Sequence, residues 1–191
     1  MTRKKEALCI VAHPDDETIW MGGAILKNKF NWTIISLCRK NDLDREPKFR
    51  RVCKFYSANS IISDLEDDIV KPIPIYTIIN KINSLLPKKR YDLIFTHGEN
   101  GEYGHLRHIE IHKAVKKMLK YKNIITNELF FFSYKKMNLQ IPQPLINSDY
   151  IIKLNQKEYK DKINLITKFY GFSKDSFEAK SCNKIEAYTK I

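Results

Sequence analysis

The sequence predicts an α/β fold, a Rossmann-like three-layer sandwich with a mostly parallel sheet, and three observations predict it. Short apolar runs recur between polar residues, without the alternation of a sheet that has one wet face. Between these runs, as far as residue 119, lie segments whose apolar residues recur at helical spacing. Strands alternating with helices imply parallel pairing through right-handed crossovers, with helices over both faces.

Each element has its own signal. Ala7-Leu8-Cys9-Ile10-Val11-Ala12 reads as a strand buried on both faces. A helix follows over 17–29, with Ile19, Gly22, Gly23 and Leu26 spaced along one side and Phe30 just beyond. The unit then repeats as a strand over 32–38 and an amphipathic helix over 45–56. A short strand over 60–63 precedes a helix over 75–86 that Pro87 closes. Residues 91–97 form another apolar strand, and 105–119 a helix carrying Leu106, Ile109, Ile111, His112 and Val115 at near-helical spacing. The rhythm then changes to a strand over 128–133, a proline-punctuated loop over 140–144, an extended stretch over 149–154 and a helix over 156–170 before Gly171. No repeat or composition break divides the chain, so one domain over 1–191 is expected.

Composition narrows the function classes. Apolar residues make up 43% and aromatics 12%, which suits a globular chain and excludes disordered or fibrous ones. The 34 Lys+Arg against 22 Asp+Glu give a net charge of +12. Of those cations 27 are Lys, in a chain also rich in Ile and Asn, the signature of AT-rich coding. The densest basic runs, Lys113 to Lys117 and Lys120 to Lys122, fit the wet face of a helix better than an aromatic-interleaved nucleic-acid patch. No apolar run approaches the ~20 residues of a membrane span, and residues 2–6 lead straight into a strand instead of a signal peptide's apolar core. A cytoplasmic protein without a transmembrane segment is expected, with peripheral attachment to an anionic membrane left open and no sign of its oligomeric state. Cys9, Cys38, Cys53 and Cys182 lack metal-ligand spacing and read as reduced core thiols.

Chemistry concentrates after two strands, where the carboxyl edge of such a sheet forms its ligand crevice. His13-Pro14-Asp15-Asp16-Glu17 follows the first. The acids could cap the next helix and complement its dipole, but capping does not call for a histidine and a stiffening proline between strand and helix. Gly98 to His108 follows the strand ending at His97, and four of the five histidines lie within 97–112. His105 and His108 share a helical face, whereas a hydrogen-bonded structural role suits His97 and His112. Two imidazoles and a carboxylate with an open fourth position make a catalytic zinc site, which lowers the pKa of bound water toward ~7. One of the adjacent Asp15 and Asp16 can hold the metal while its neighbour takes a proton, and a surplus histidine can polarise the oxygen on which charge develops.

These residues resemble the PIG-L/LmbE family of zinc-dependent de-N-acetylases. The resemblance rests on Ala12-His13-Pro14-Asp15-Asp16-Glu17 and on Asn100-Gly101-Glu102-Tyr103-Gly104-His105-Leu106-Arg107-His108, with weaker echoes at Gly22-Gly23 and Glu186-Ala187-Tyr188. It implies one Zn2+ per chain, or another divalent metal, on His13, Asp16 and His108. It also implies that Asp15 is the general base toward the zinc-bound water, and that His105, aided by Tyr103, stabilises the tetrahedral oxyanion. The implied substrate is an N-acetylated amino sugar conjugate of N-acetylglucosamine type, with acetate released. Arg45 and Arg107 stand as substrate-binding candidates. Arg107 occupies a position where many relatives carry Asp or Asn, and Lys48 stands where an acid usually accompanies the Arg45 counterpart. Two alternatives stay open: a zinc amidohydrolase acting on a non-sugar amide, and a basic, non-catalytic binding module for nucleic acid or a phosphorylated ligand. Specificity is expected in loops around 39–48, 98–104 and 134–148.

Overall fold

A computed structural model describes residues 3–68, 70–136 and 141–191. The first half runs β1 (Glu6–Val11), α1 (Asp16–Lys27), β2 (Asn31–Ser36), α2 (Arg45–Phe55), β3 (Asn59–Ile62), α3 (Ile75–Leu85), β4 (Arg90–Thr96), α4 (Gly101–Gly104) and α5 (Leu106–Lys120). The second half continues with β5 (Ile125–Phe132), β6 (Tyr134–Lys136), β7 (Pro142–Pro144), β8 (Tyr150–Lys153), α6 (Gln156–Asn164), α7 (Phe177–Ser181) and β9 (Ile185–Lys190). Among the described residues, seven strands form one sheet in the order β3-β2-β1-β4-β5-β9-β8. Its first five strands pair in parallel, and β9 runs antiparallel to both β5 and β8.

The apolar run of β1 is unbroken because both of its faces are covered. Ala7, Cys9 and Val11 share one core with Trp20 of α1 and with Phe49 and Val52 of α2. Leu8 and Ile10 face the other, with Ile78 and Ile82 of α3 and Ile111 and Val115 of α5. This is the mostly parallel three-layer sandwich expected of the sequence. The four cysteines are buried and unbridged, and Lys113, Lys116, Lys117 and Lys120 lie on the exposed side of α5.

The topology locates the site. From β1 the chain steps outward to β2 and β3, then returns to place β4 on the opposite flank of β1. The carboxyl ends of β1 and β4 therefore flank the point where strand order reverses, the place where open α/β sheets open a crevice. Register pairs Ile10 with Thr96, so the segments beginning at His13 and His97 leave the sheet side by side.

Three features depart from the sequence reading. The proline-rich stretch is a strand, with Pro142 and Pro144 in β7 pairing with β6 in a separate two-stranded ribbon, an edge position where a missing N–H is tolerated; the expected loop's start at Gln140 lies outside the described residues. The helix over 156–170 divides into α6, begun by an Asn155/Glu158 capping box, and a π-helical turn over Leu165–Phe169. The third feature is β9, which alternation does not announce because Glu186 occupies a fully buried position in it. Its carboxylate has a specific task. Helix α1 is interrupted at Met21 (φ −145°, ψ 16°), and Glu186 accepts the Gly23 and Ala24 N–H groups at 2.7 and 2.9 Å. Lys162 and the Tyr188 hydroxyl donate to the same carboxylate at 2.6 and 2.7 Å. A Cβ on Gly23 would lie 2.3 Å from Leu154 Cδ2, so this close approach requires glycine.

Candidate active site

Three side-chain atoms converge where the two strand-end segments meet. His13 Nδ1, Asp16 Oδ2 and His108 Nε2 are each 3.3 Å from the other two. Ligands about 2.0–2.1 Å from a tetrahedral zinc ion stand about 3.3–3.4 Å apart, so this donor set has the spacing as well as the chemistry of one face of such a centre. The electrostatics also ask for a cation there. Burial lowers the His108 pKa, but the Asp16 and Glu102 carboxylates outweigh it and raise it to about 10. Burial likewise opposes ionisation of Asp16, yet His108 and His13 hold its carboxyl well below the usual range.

Each donor is aimed by a second contact. His108 Nδ1 donates to Glu102 Oε2 at 2.6 Å, which turns Nε2 toward the centre. His13 Nε2 donates to Asp67 Oδ1 at 2.7 Å, which leaves Nδ1 facing inward. Asp16 is fixed by the Trp20 indole on Oδ1 at 2.9 Å and by the His13 N–H on Oδ2 at 2.8 Å. Glu102 is fully buried and also accepts from His97 Nδ1 and from the Gly98 N–H. Although burial disfavours its charge, His97 and His108 hold its pKa down at about 2. His97 also lies close to the triad, 3.6 Å from Asp16 Oδ2, but its Nε2 accepts the Ala12 N–H at 2.9 Å. With Nδ1 donating and Nε2 accepting, His97 has no lone pair left for a metal. His112 donates to the His97 carbonyl at 3.0 Å. Both are hydrogen-bonded framework residues.

Asp15 occupies the cap position of α1 without making a side-chain cap. Its carboxylate instead accepts from Arg45 Nη1 at 2.8 Å and lines the cleft. Its backbone has φ 109°, a strained value for a residue with a Cβ. Glu17 secures that turn by accepting the Asp15 N–H at 3.1 Å, and is itself held by Thr18 and Tyr170. Burial, then the adjacent Asp16 charge, pushes the Asp15 pKa well up. The cleft above the triad measures about 200 Å³ and is lined by Trp20, Arg39, Arg45, Tyr103 and His105, among others. Burial lowers the His105 pKa to about 3, so its ring is neutral at ordinary pH. The His105 Nδ1 has no hydrogen-bond partner, although it is buried. Burial also raises the Tyr103 pKa, keeping the phenol protonated.

Six of the eight sequence-designated residues, His13, Asp15, Asp16, Arg45, Tyr103 and His105, line this one cleft, and His108 lies at its floor against His13 and Asp16. Arg107 lies elsewhere. It is 1% exposed, does not line the cleft, and pairs with Glu110 while donating to the carbonyls of Asp68 and Lys71. One residue before His108 on a helix, it points to another flank, and its guanidinium is used inside the protein. Sequence reasoning missed Glu102, Asp67 and the α7 wall formed by Phe177 and Glu178. Glu102 stands within the 100–108 motif, at φ 60° between glycines, but Asp67 and α7 carry no local signal.

The family model described as PIG-L, GlcNAc-PI de-N-acetylase, matches residues 8–119. An uncharacterised protein of Acanthamoeba polyphaga mimivirus is 28% identical over 187 residues, covering 84% of this chain and 80% of its own. A crystal structure of a deacetylase triple mutant from the teicoplanin biosynthetic pathway superposes with a TM-score of 0.69 at 12% identity, covering 94% of this chain and 89% of that one. The matched family segment contains both strand-end clusters and the whole donor triad, and on that ground the chain belongs to the PIG-L family of deacetylases.

Proposed function

We propose that this chain is a zinc-dependent de-N-acetylase that releases acetate from an N-acetylated amino sugar conjugate of N-acetylglucosamine type. The observation that carries the reading is the 3.3 Å triangle of His13, Asp16 and His108, with Asp15 beside it and free of capping. A divalent metal held by those three residues would supply Lewis acidity and make water acidic near neutral pH.

The chain's own residues do the rest. Asp15, its carboxylate oriented by Arg45 and its backbone by Glu17, takes the proton of the attacking water. The same carboxyl then returns a proton to the nitrogen as the acetyl C–N bond breaks. His105, neutral, and Tyr103, protonated, are N–H and O–H donors for the oxygen that gains charge. Arg45 stacks its guanidinium 4.3 Å from the Phe172 ring centroid, which keeps it on the cleft wall for substrate contact as well.

Cleft charge favours an uncharged reacting end. Its ionisable lining has the carboxylates of Asp15, Asp16, Asp67 and Glu178 against the guanidiniums of Arg39 and Arg45. A divalent ion would bring that balance to neutrality, which suits an acetamido sugar better than an anionic group. An acetate-release screen of the zinc-loaded enzyme over N-acetylglucosamine conjugates and acetylated non-sugar amines tests this. Turnover of the conjugates is expected, and release from the non-sugar amines alone would overturn the sugar assignment.

A further inference from the structure

We propose that Asp67 is the positioning carboxylate of the metal ligand His13, and that Arg107 acts on the metal centre through it; the inference rests on the metal-centre reading above. Asp67 lies in the connection between β3 and α3, where no strand ladder fixes the backbone. Its Oδ1 receives the His13 Nε2 hydrogen at 2.7 Å, and its Oδ2 receives Arg39 Nη2 at 2.6 Å. An acceptor at that point selects the tautomer in which His13 Nδ1 carries the free lone pair, and that nitrogen faces Asp16 and His108.

Besides Arg39 on its side chain, the backbone next to Asp67 is held from α5. Arg107 Nη2 donates to the Asp68 carbonyl at 2.7 Å and to the Lys71 carbonyl at 3.2 Å. Its Nη1 pairs with Glu110, whose other oxygen accepts the Ile73 N–H at 2.8 Å. Both side chains are buried, Arg107 at 1% and Glu110 at 4% exposure. Two buried, mutually neutralising charges thus clamp the connection next to Asp67. The first turns of α5 supply one ligand directly, through His108, and tether the carboxylate that orients another. A carboxylate at position 107 could not donate to those carbonyls, so the positive charge there is matched to this loop.

Zinc titration against a chromophoric chelator tests the relay, using the full chain with folding checked by metal-free thermal unfolding. Asp67→Ala is expected to weaken zinc binding about 10–100-fold, the usual cost of removing a partner of a ligating histidine. Asp67→Asn, which keeps an acceptor for His13, should recover part of that loss. Arg107→Gln should weaken binding severalfold, with Arg107→Lys as the substitute if Gln prevents folding. The decisive comparison is the double variant, which should bind no worse than Asp67→Ala alone, because Arg107 works through a carboxylate already removed. Zinc affinity within twofold of wild type in Asp67→Ala would overturn the proposal, and fully additive losses would overturn the part assigned to Arg107. Absence of zinc binding by the wild type would defeat the metal-centre reading itself, a result distinct from either.

Discussion

At the residue scale, neighbouring acids have been given different work by the direction each faces. Asp16 turns inward, where Trp20 and His13 fix it, while Asp15, at positive φ, turns to Arg45 and the cleft. Asp15→Asn should therefore keep bound metal and lose about 10²–10⁴-fold in kcat, measured as acetate release alongside metal content; loss of metal in step with activity would contradict its role as base. His105→Ala should lower kcat about 10²–10³-fold with KM little changed, and a change confined to KM would make it a binding residue instead. The proton on His108 gives a pH test. Its pKa is about 10 without metal, so at pH 7.5 an incoming ion must displace that proton, and affinity must fall as pH falls. Calorimetry in buffers of different ionisation enthalpy should find protons released as metal binds; no release would refute that protonation state. The sequence displayed His13, Asp15, Asp16, His105 and His108 because they cluster in two polar segments, 13–17 and 98–108, that follow apolar strands. It could not display Asp67 as a partner of His13, since 54 residues separate them and only the sheet brings them together.

At the element scale, the sequence announced the parallel strands and their crossover helices because burial on both faces leaves an unbroken apolar signature. It was silent on β9, whose pattern is interrupted by Glu186, and on α7, which has five residues. The reason for the buried acid lies in α1. Just past the break at Met21, one carboxylate accepts the Gly23 and Ala24 N–H groups while neutralising Lys162. Glu186→Leu strands the ammonium of Lys162 in a fully buried position and should destabilise the fold by about 3–5 kcal/mol. Urea unfolding of the metal-free protein measures this, and a loss below about 1 kcal/mol would show that the pair is dispensable. The Gly22-Gly23 and Glu186 signals, 163 residues apart, are thus two halves of one contact.

At the scale of the whole molecule, the net charge of +12 and the site are separate matters. The basic face of α5 is solvated lysine, whereas carboxylates outnumber guanidiniums in the cleft lining. An uncharged substrate should therefore show kcat/KM that varies less than about twofold between low and high salt, and a steep fall would indicate an anionic one. Among the described residues, no helix is long and apolar enough to cross a membrane. The fold brings two strand-end segments together at the reversal of strand order, where they are proposed to hold a catalytic divalent ion. Chelation followed by zinc readdition, with acetate release from an N-acetylglucosamine conjugate followed in wild type and His108→Ala, tests this most directly. Wild-type activity should vanish with the metal and return with one zinc per chain, while His108→Ala should recover neither metal nor turnover. Full turnover by the chelated wild type, or zinc-restored turnover in His108→Ala, would contradict it.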